Sequence, residues 1–207
     1  MGFSSNRRAI SEVGRSLCMW SISLDWIVLA VLVFWAVGAY NRVMRLRSAC
    51  VQAFGALDSY FLQAQGLLSE WSAAQANADD PEGTQRLAHA AWQQSLAAMG
   101  AALAGARARP LHAQSMRSLE RAHDEQFAAW QALKNLPGAP DDLGWRLRWQ
   151  QQQAQTGLAA DQFNTAVAQY NAAIAQFPAR VLAWFFGFRA ARPLQPALGS
   201  QLPDTAA

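Results

Sequence analysis

The sequence predicts an all-α protein in which an N-terminal transmembrane helix continues into a long-helix antiparallel bundle. Three observations carry this expectation. Alanine, glutamine and leucine dominate, while valine and isoleucine are sparse outside residues 22–37, so the remainder is poor strand material and good helix material. One apolar window near the N-terminus is long enough to cross a bilayer. Beyond it, apolar positions recur at alternating steps of three and four, the spacing of a single helix face, in successive segments separated by Pro-, Gly- and Asp-rich turns. A chain of 207 residues has room for one domain with a comfortable core, or for a smaller domain and an anchor.

Residues 1–23 form an N-terminal segment bearing Arg7, Arg8 and Arg15, and the anchor is assigned to residues 24–41. Between Ser16 and Asn41 only Asp25 is charged, and IVLAVLVFWAVGAY from Ile27 to Tyr40 carries no charge. A bilayer core needs about 20 helical apolar residues. The window supplies them if the helix begins near Leu17 to Leu24, with Asp25 at headgroup depth. Trp20, Trp26, Trp35 and Tyr40 add amphipathic rings suited to the interface. A cleaved signal peptide is the alternative, with the arginines as its basic region and Val37-Gly38-Ala39 as a small-residue cleavage site. The long basic region, the bulky Trp35 and a helical pattern running straight through Tyr40-Asn41 favour an uncleaved anchor. Arg42, Arg45 and Arg47 meet no acid before Asp58, whereas the upstream arginines are diluted by Glu12 and Asp25. That asymmetry tilts the positive-inside rule slightly toward a cytoplasmic bundle.

The bundle is assigned to residues 42–190. Its first helix carries Val43, Leu46, Cys50, Phe54, Leu57, Phe61, Ala64, Leu68 and Trp71 on one seam and continues the anchor without a break. It stops at AQANADDPEGTQ, where Asp79 or Asp80 is placed to cap a second helix with Pro81 at its first position. That helix presents Leu87, Trp92, Leu96, Met99 and Leu103 and closes before Pro110. A third carries Met116, Leu119, His123, Phe127, Trp130 and Leu133 and ends at NLPGAPDD.

Asp141 and Asp142 are placed to cap a fourth helix, whose seam runs through Trp145, Trp149, Thr156, Ala159, Phe163, Val167, Tyr170, Ile174 and Phe177. Within it Gln150 to Gln153 reads as a solvated face, and Gly157 as a weak point. Pro178 ends this helix. Val181 to Phe188 then form a short, very apolar segment flanked by Arg180 and Arg189, and residues 191–207, with Pro193, Pro196, Gly199 and Pro203, read as a disordered tail.

Composition argues against several function classes. The net charge is +3, but the basic residues are arginines scattered among acids, with Lys134 the single lysine, so no basic stripe points to nucleic acid. Cys18 and Cys50 suggest neither a disulfide framework nor a metal knuckle. His89, His112 and His123 are isolated from one another, and His123-Asp124-Glu125 point in different directions on a helix. There is no glycine-rich phosphate loop, nucleophile elbow or carboxylate pair in an apolar surround. The expectation is a protein without catalytic residues, metal or cofactor.

Several short motifs occur in a particular order: Tyr40-Asn41 at the end of the anchor, Ala53-Phe54 and Leu57-Asp58, a turn at Asp80-Pro81-Glu82, then FNTAVAQYNAAIAQFP and a Gly187-Phe188 ending. This set resembles the LemA family of bacterial membrane proteins over about residues 35–188. The resemblance is most specific at Phe163-Asn164, Tyr170-Asn171, Ile174 and Phe177-Pro178. It implies a transmembrane helix followed by a long-helix antiparallel bundle and carries over no catalytic residue. FLQAQGLLSEW lacks the charged middle and proline usual in the family's first helix, and QAQTGLAADQ replaces its charged segment before the first aromatic-Asn pair, which marks a divergent member.

The seven-residue echo of Phe163-Asn164 in Tyr170-Asn171 puts both aromatics, and both asparagines, on one helix face. With Asn41, these asparagines read as register-fixing amides rather than ligand contacts. For VLAWFFGF two readings stay open. It covers the open end of the bundle as core, or Trp184, Phe185, Phe186 and Phe188 contact membrane or partner while Arg180 and Arg189 reach lipid phosphates. The function expected is a single-pass, non-enzymatic interaction or scaffold protein of the bacterial envelope, with membrane lipid and other membrane or envelope proteins as partners. The alternative is a periplasmic helical ligand-binding domain released by signal cleavage.

Overall fold

A computed structural model of the chain describes residues 5–76, 83–135 and 143–194, with side chains from Asp25 onward except at 75–76 and 83–84. The described residues form α1 (Ser5–Ala76), α2 (Gly83–Ala108), α3 (Ala113–Lys134), α4 (Leu143–Ala175) and α5 (Ala179–Phe186), and no strand occurs among them. The all-α expectation holds. The proposed caps at Asp79 to Pro81 and at Asp141 and Asp142, the side chain of Cys18 and the tail from residue 195 lie outside the described residues.

Helix α1 has 72 residues, about 108 Å at 1.5 Å per residue, and begins earlier than the anchor pattern required. It is long and apolar enough to cross a membrane by length and composition. From Asp25 to Arg42 almost every side chain is exposed, including Trp26, Ile27, Leu29 and Phe34, and burial begins abruptly at Val43. The same helix therefore changes role within one turn, from a largely exposed apolar rod to a wall of the core.

Helices α1 and α4 pack as one long pair and α2 and α3 as a second. Ring and hydrogen-bond contacts fix the first pair as antiparallel. Phe54 meets Phe163 edge-on at 5.8 Å, Gln152 Nε2 donates to the Tyr60 carbonyl at 2.9 Å, and Trp71 lies 5.8 Å from Trp145, so α4 descends as α1 rises. The link between α2 and α3 is short: Arg109 N–H donates to Gly105 O, and His112 N–H to Arg109 O at 3.1 Å. This up-down-up-down order returns the Arg109–His112 turn and the end of α4 to the side of the bundle from which the apolar stretch of α1 emerges.

The α1 seam is buried as its periodicity predicts, with Cys50 and Leu57 fully enclosed and Phe54 and Phe61 nearly so. These join Met99, Leu103, Met116, Leu119, Phe163 and Val167 in the main core. Each such side chain contributes about 1.5–3 kcal/mol of burial. At the far end Leu68, Trp71, Trp92, Trp130, Leu133 and Trp145 form a second cluster. Trp145 stacks on Trp149, one helical turn away, with an interplanar angle of 8°.

Four expectations need correction. Leu87 is exposed; the buried stripe of α2 runs instead through Trp92, Ser95, Met99, Leu103 and Ala106. Ser95 fits this stripe because its hydroxyl donates to Trp92 O, one turn back, at 2.7 Å. Gln152 does not belong to a solvated face. It is buried, and its amide finds the Tyr60 carbonyl across the helix pair. Phe177 is 74% exposed rather than core, because α4 ends at Ala175, Pro178 disfavours helical geometry at the residue before it, and the seam ends at Ile174. Finally, Ala191 and Leu194, which the composition of the tail assigned to disorder, are buried at 4% and 2% exposure. Helix α4 runs through Gly157 without interruption.

Candidate functional site

Buried Ala191 and Leu194 explain the aromatic-Asn echo. Asn171 accepts the Ala191 N–H at 2.8 Å and donates to the Ala191 carbonyl at 2.8 Å. Asn164 treats Leu194 in the same way, at 2.8 and 2.9 Å. Each amide thus completes a two-bond pairing with an extended backbone, as a neighbouring strand would. The spacing fits because seven helical residues rise about 10.5 Å and three extended residues about 10 Å. Tyr170, between the two asparagines, donates its hydroxyl to the Arg189 carbonyl at 3.2 Å. Burial pushes that hydroxyl's pKa up, against the opposing charge of Arg47. Asn41, by contrast, is exposed on α1.

The segment between α4 and this clamp is α5. It buries Ala179 and Ala183 and leaves Val181, Trp184, Phe185 and Phe186 exposed, Trp184 at 84%. The core-lid reading of VLAWFFGF is therefore set aside: the small residues pack inward and the large ones face out. Gly187 closes the helix in the left-handed region (φ 70°, ψ 26°), which directs Phe188 N–H back to the Ala183 carbonyl at 2.9 Å. Phe188 is half-buried as a result.

This helix lies against the point where α1 leaves its apolar stretch. Tyr40 is 5.4 Å from Phe186 and 6.2 Å from Phe188, and Trp35 is 5.2 Å from Phe177. On one side a groove of about 300 Å³ separates the apolar stretch of α1 from the α4–α5 link and is lined by Phe34, Trp35, Arg42 and Phe177. On the other, a groove of about 350 Å³ is lined by Arg47, the Arg109–His112 turn and residues 186–189. Arg189, which the sequence points to, shares this groove with Arg47 and Arg109, which it does not, since only the fold brings residues so far apart together; Arg180 lines neither groove.

In the bundle core a cavity of about 50 Å³ is lined by groups that include Phe61, Met99, His123, Gln126, Trp130 and Thr156. Gln126 Nε2 and Trp130 Nε1 are buried there without a hydrogen-bond partner. His123 packs edge-on to Phe61, and desolvation lowers its pKa from the ordinary 6.5 while Asp124 pulls the other way. Cys50 is a free, buried thiol whose pKa burial raises. Among the described residues no group of three or more His, Cys, Asp or Glu side chains is placed to hold a metal ion. No family model, curated protein or solved structure matches the chain.

Proposed function

We propose that this chain is a single-pass inner-membrane protein, a divergent member of the LemA family, whose four-helix head is a non-enzymatic interaction platform held against the lipid surface. The observation that carries the reading is α5. Its large apolar side chains are exposed on the side of the bundle where the anchor emerges, and Tyr40 touches both Phe186 and Phe188. Each such side chain gains about 1.5–3 kcal/mol when an apolar phase covers it. A helix with one apolar face beside an anchor lies in the interfacial layer, with arginines reaching the phosphates. Arg42, Arg45, Arg47, Arg109, Arg180 and Arg189 all sit toward this end, and none has an ion-pair partner among the described residues. By the positive-inside rule such a concentration favours a cytoplasmic head. The head's far end then remains free for other envelope proteins.

Nitroxide labels test this in the full-length protein, on a Cys18→Ser background, as Trp184→Cys and Ala90→Cys in vesicles. The label at 184 is expected to collide preferentially with oxygen, which partitions into lipid, and the label at 90 with a water-soluble relaxation agent. An aqueous profile at 184 removes the docking of α5.

The core cavity favours a second reading, a signal-cleaved periplasmic ligand-binding domain, because buried unpartnered donors face an apolar space. Intact mass decides between the two: loss of residues 1–39 selects the second.

A further inference from the structure

We infer that the groove between α1, the α2–α3 turn and the end of α5 is a binding site for the headgroup of an anionic phospholipid. This rests on the proposal that α1 anchors the chain in a bilayer.

Three arginines, Arg47, Arg109 and Arg189, line one groove of about 350 Å³ together with His112, and no Asp or Glu lines it. None of the three arginines has an ion-pair partner among the described residues. Two other arginines of the head are paired, Arg107 with Asp58 at 2.8 Å and Arg192 with Glu120 at 3.0 Å. Three like charges facing one concavity repel one another unless an anion joins them, so the charge pattern specifies the sign of the occupant.

Height specifies its nature. Arg47 stands seven residues beyond Tyr40 on an unbroken helix, about 10 Å along the axis. The headgroup layer begins at the edge of the hydrocarbon and is about 5–8 Å deep on each side. With Tyr40 at the hydrocarbon edge, Arg47 thus stands just outside the layer, its side chain within reach of the phosphates. Below them Phe186 and Phe188 supply apolar surface on the side toward Tyr40. A ligand with a phosphate above and hydrocarbon below matches this order, and a free inorganic anion uses only half of it. The clamp supports the site directly, since Tyr170 and Asn171 hold the backbone at Arg189 and Ala191 and so fix where the Arg189 side chain starts.

The test is native mass spectrometry of the full-length protein released from mixed micelles holding equal amounts of phosphatidylglycerol and phosphatidylcholine. Retention of phosphatidylglycerol in preference to phosphatidylcholine is expected. It should fall about fivefold for each of Arg47→Gln, Arg109→Gln and Arg189→Gln, and on the order of a hundredfold for the three combined. Arg121→Gln and Arg148→Gln, which lie outside the groove, are expected to leave it unchanged. Lysine at all three positions should keep much of the preference, because charge is retained while bidentate contact is lost. Equal retention of both lipids, or undiminished preference in the triple Gln variant, overturns the site. So does equal retention of soluble glycerophosphoglycerol, which has the headgroup and no chains. The same spectrum reports whether residues 1–39 are present, so failure of the anchor is read separately from failure of the groove.

Discussion

Asn171 spends both faces of its amide on one residue of backbone, and Asn164 does the same three residues further along the returning chain. Each of these hydrogen bonds contributes about 0.5–1.5 kcal/mol, and a buried backbone group left without its partner costs about 1–3 kcal/mol. Asn171→Ala is therefore expected to destabilise the protein by about 2–4 kcal/mol in denaturant titrations; a change below 0.5 kcal/mol, roughly that of an ordinary surface substitution, would contradict the clamp.

His123 makes a second prediction at this scale. Its folded pKa lies below the ordinary 6.5, chiefly through desolvation. The unfolded chain thus takes up the proton first as pH falls. Its contribution is fully present above 6.5 and is lost as pH drops from there toward the folded value. Stability between pH 7 and 5 should fall more steeply in the parent protein than in His123→Gln. Parallel profiles would show that the imidazole is not desolvated. That the asparagines are structural was legible from their position beside an aromatic seam. Their partners were not, because a local pattern of seven helical residues says nothing about an extended segment 20 to 30 residues away.

At the scale of elements, α5 depends on how it ends. Gly187 holds φ at 70° with open space where a Cβ would go. The cost of a side chain there is consequently backbone strain and not crowding. Gly187→Ala is expected to lower stability by about 1–2 kcal/mol, with Gly187→Asn milder, as read from thermal midpoints; a neutral alanine would mean that the left-handed cap is not needed.

The α1 seam was readable residue by residue because one helix face is a property of a short stretch of chain. Helix α2 was misread at Leu87, where an apolar residue near the helix start lies off the stripe. Gln152 was misread for a different reason: a glutamine beside other glutamines looks solvated until a carbonyl from another helix stands opposite it. The apolar character of VLAWFFGF was plain in the sequence. Its outward orientation was not, since the helix turns on Ala179 and Ala183, whose small side chains let its backbone approach the bundle.

For the whole molecule, sequence periodicity by itself determined the helical class, the continuity of the apolar N-terminal stretch with the first bundle helix, and the number of long segments. These follow from hydrophobic spacing and from turn residues, which act over a few positions. The tertiary structure alone decided which helices pair closely, that residues 191–194 return along α4 rather than trail away, and that Arg47, Arg109 and Arg189 share one groove. Those outcomes depend on contacts between distant parts of the chain, formed when antiparallel packing brings the α2–α3 turn and α5 back to the apolar stretch of α1. A charge or an amide is visible anywhere in a sequence, but what it faces is set by the fold.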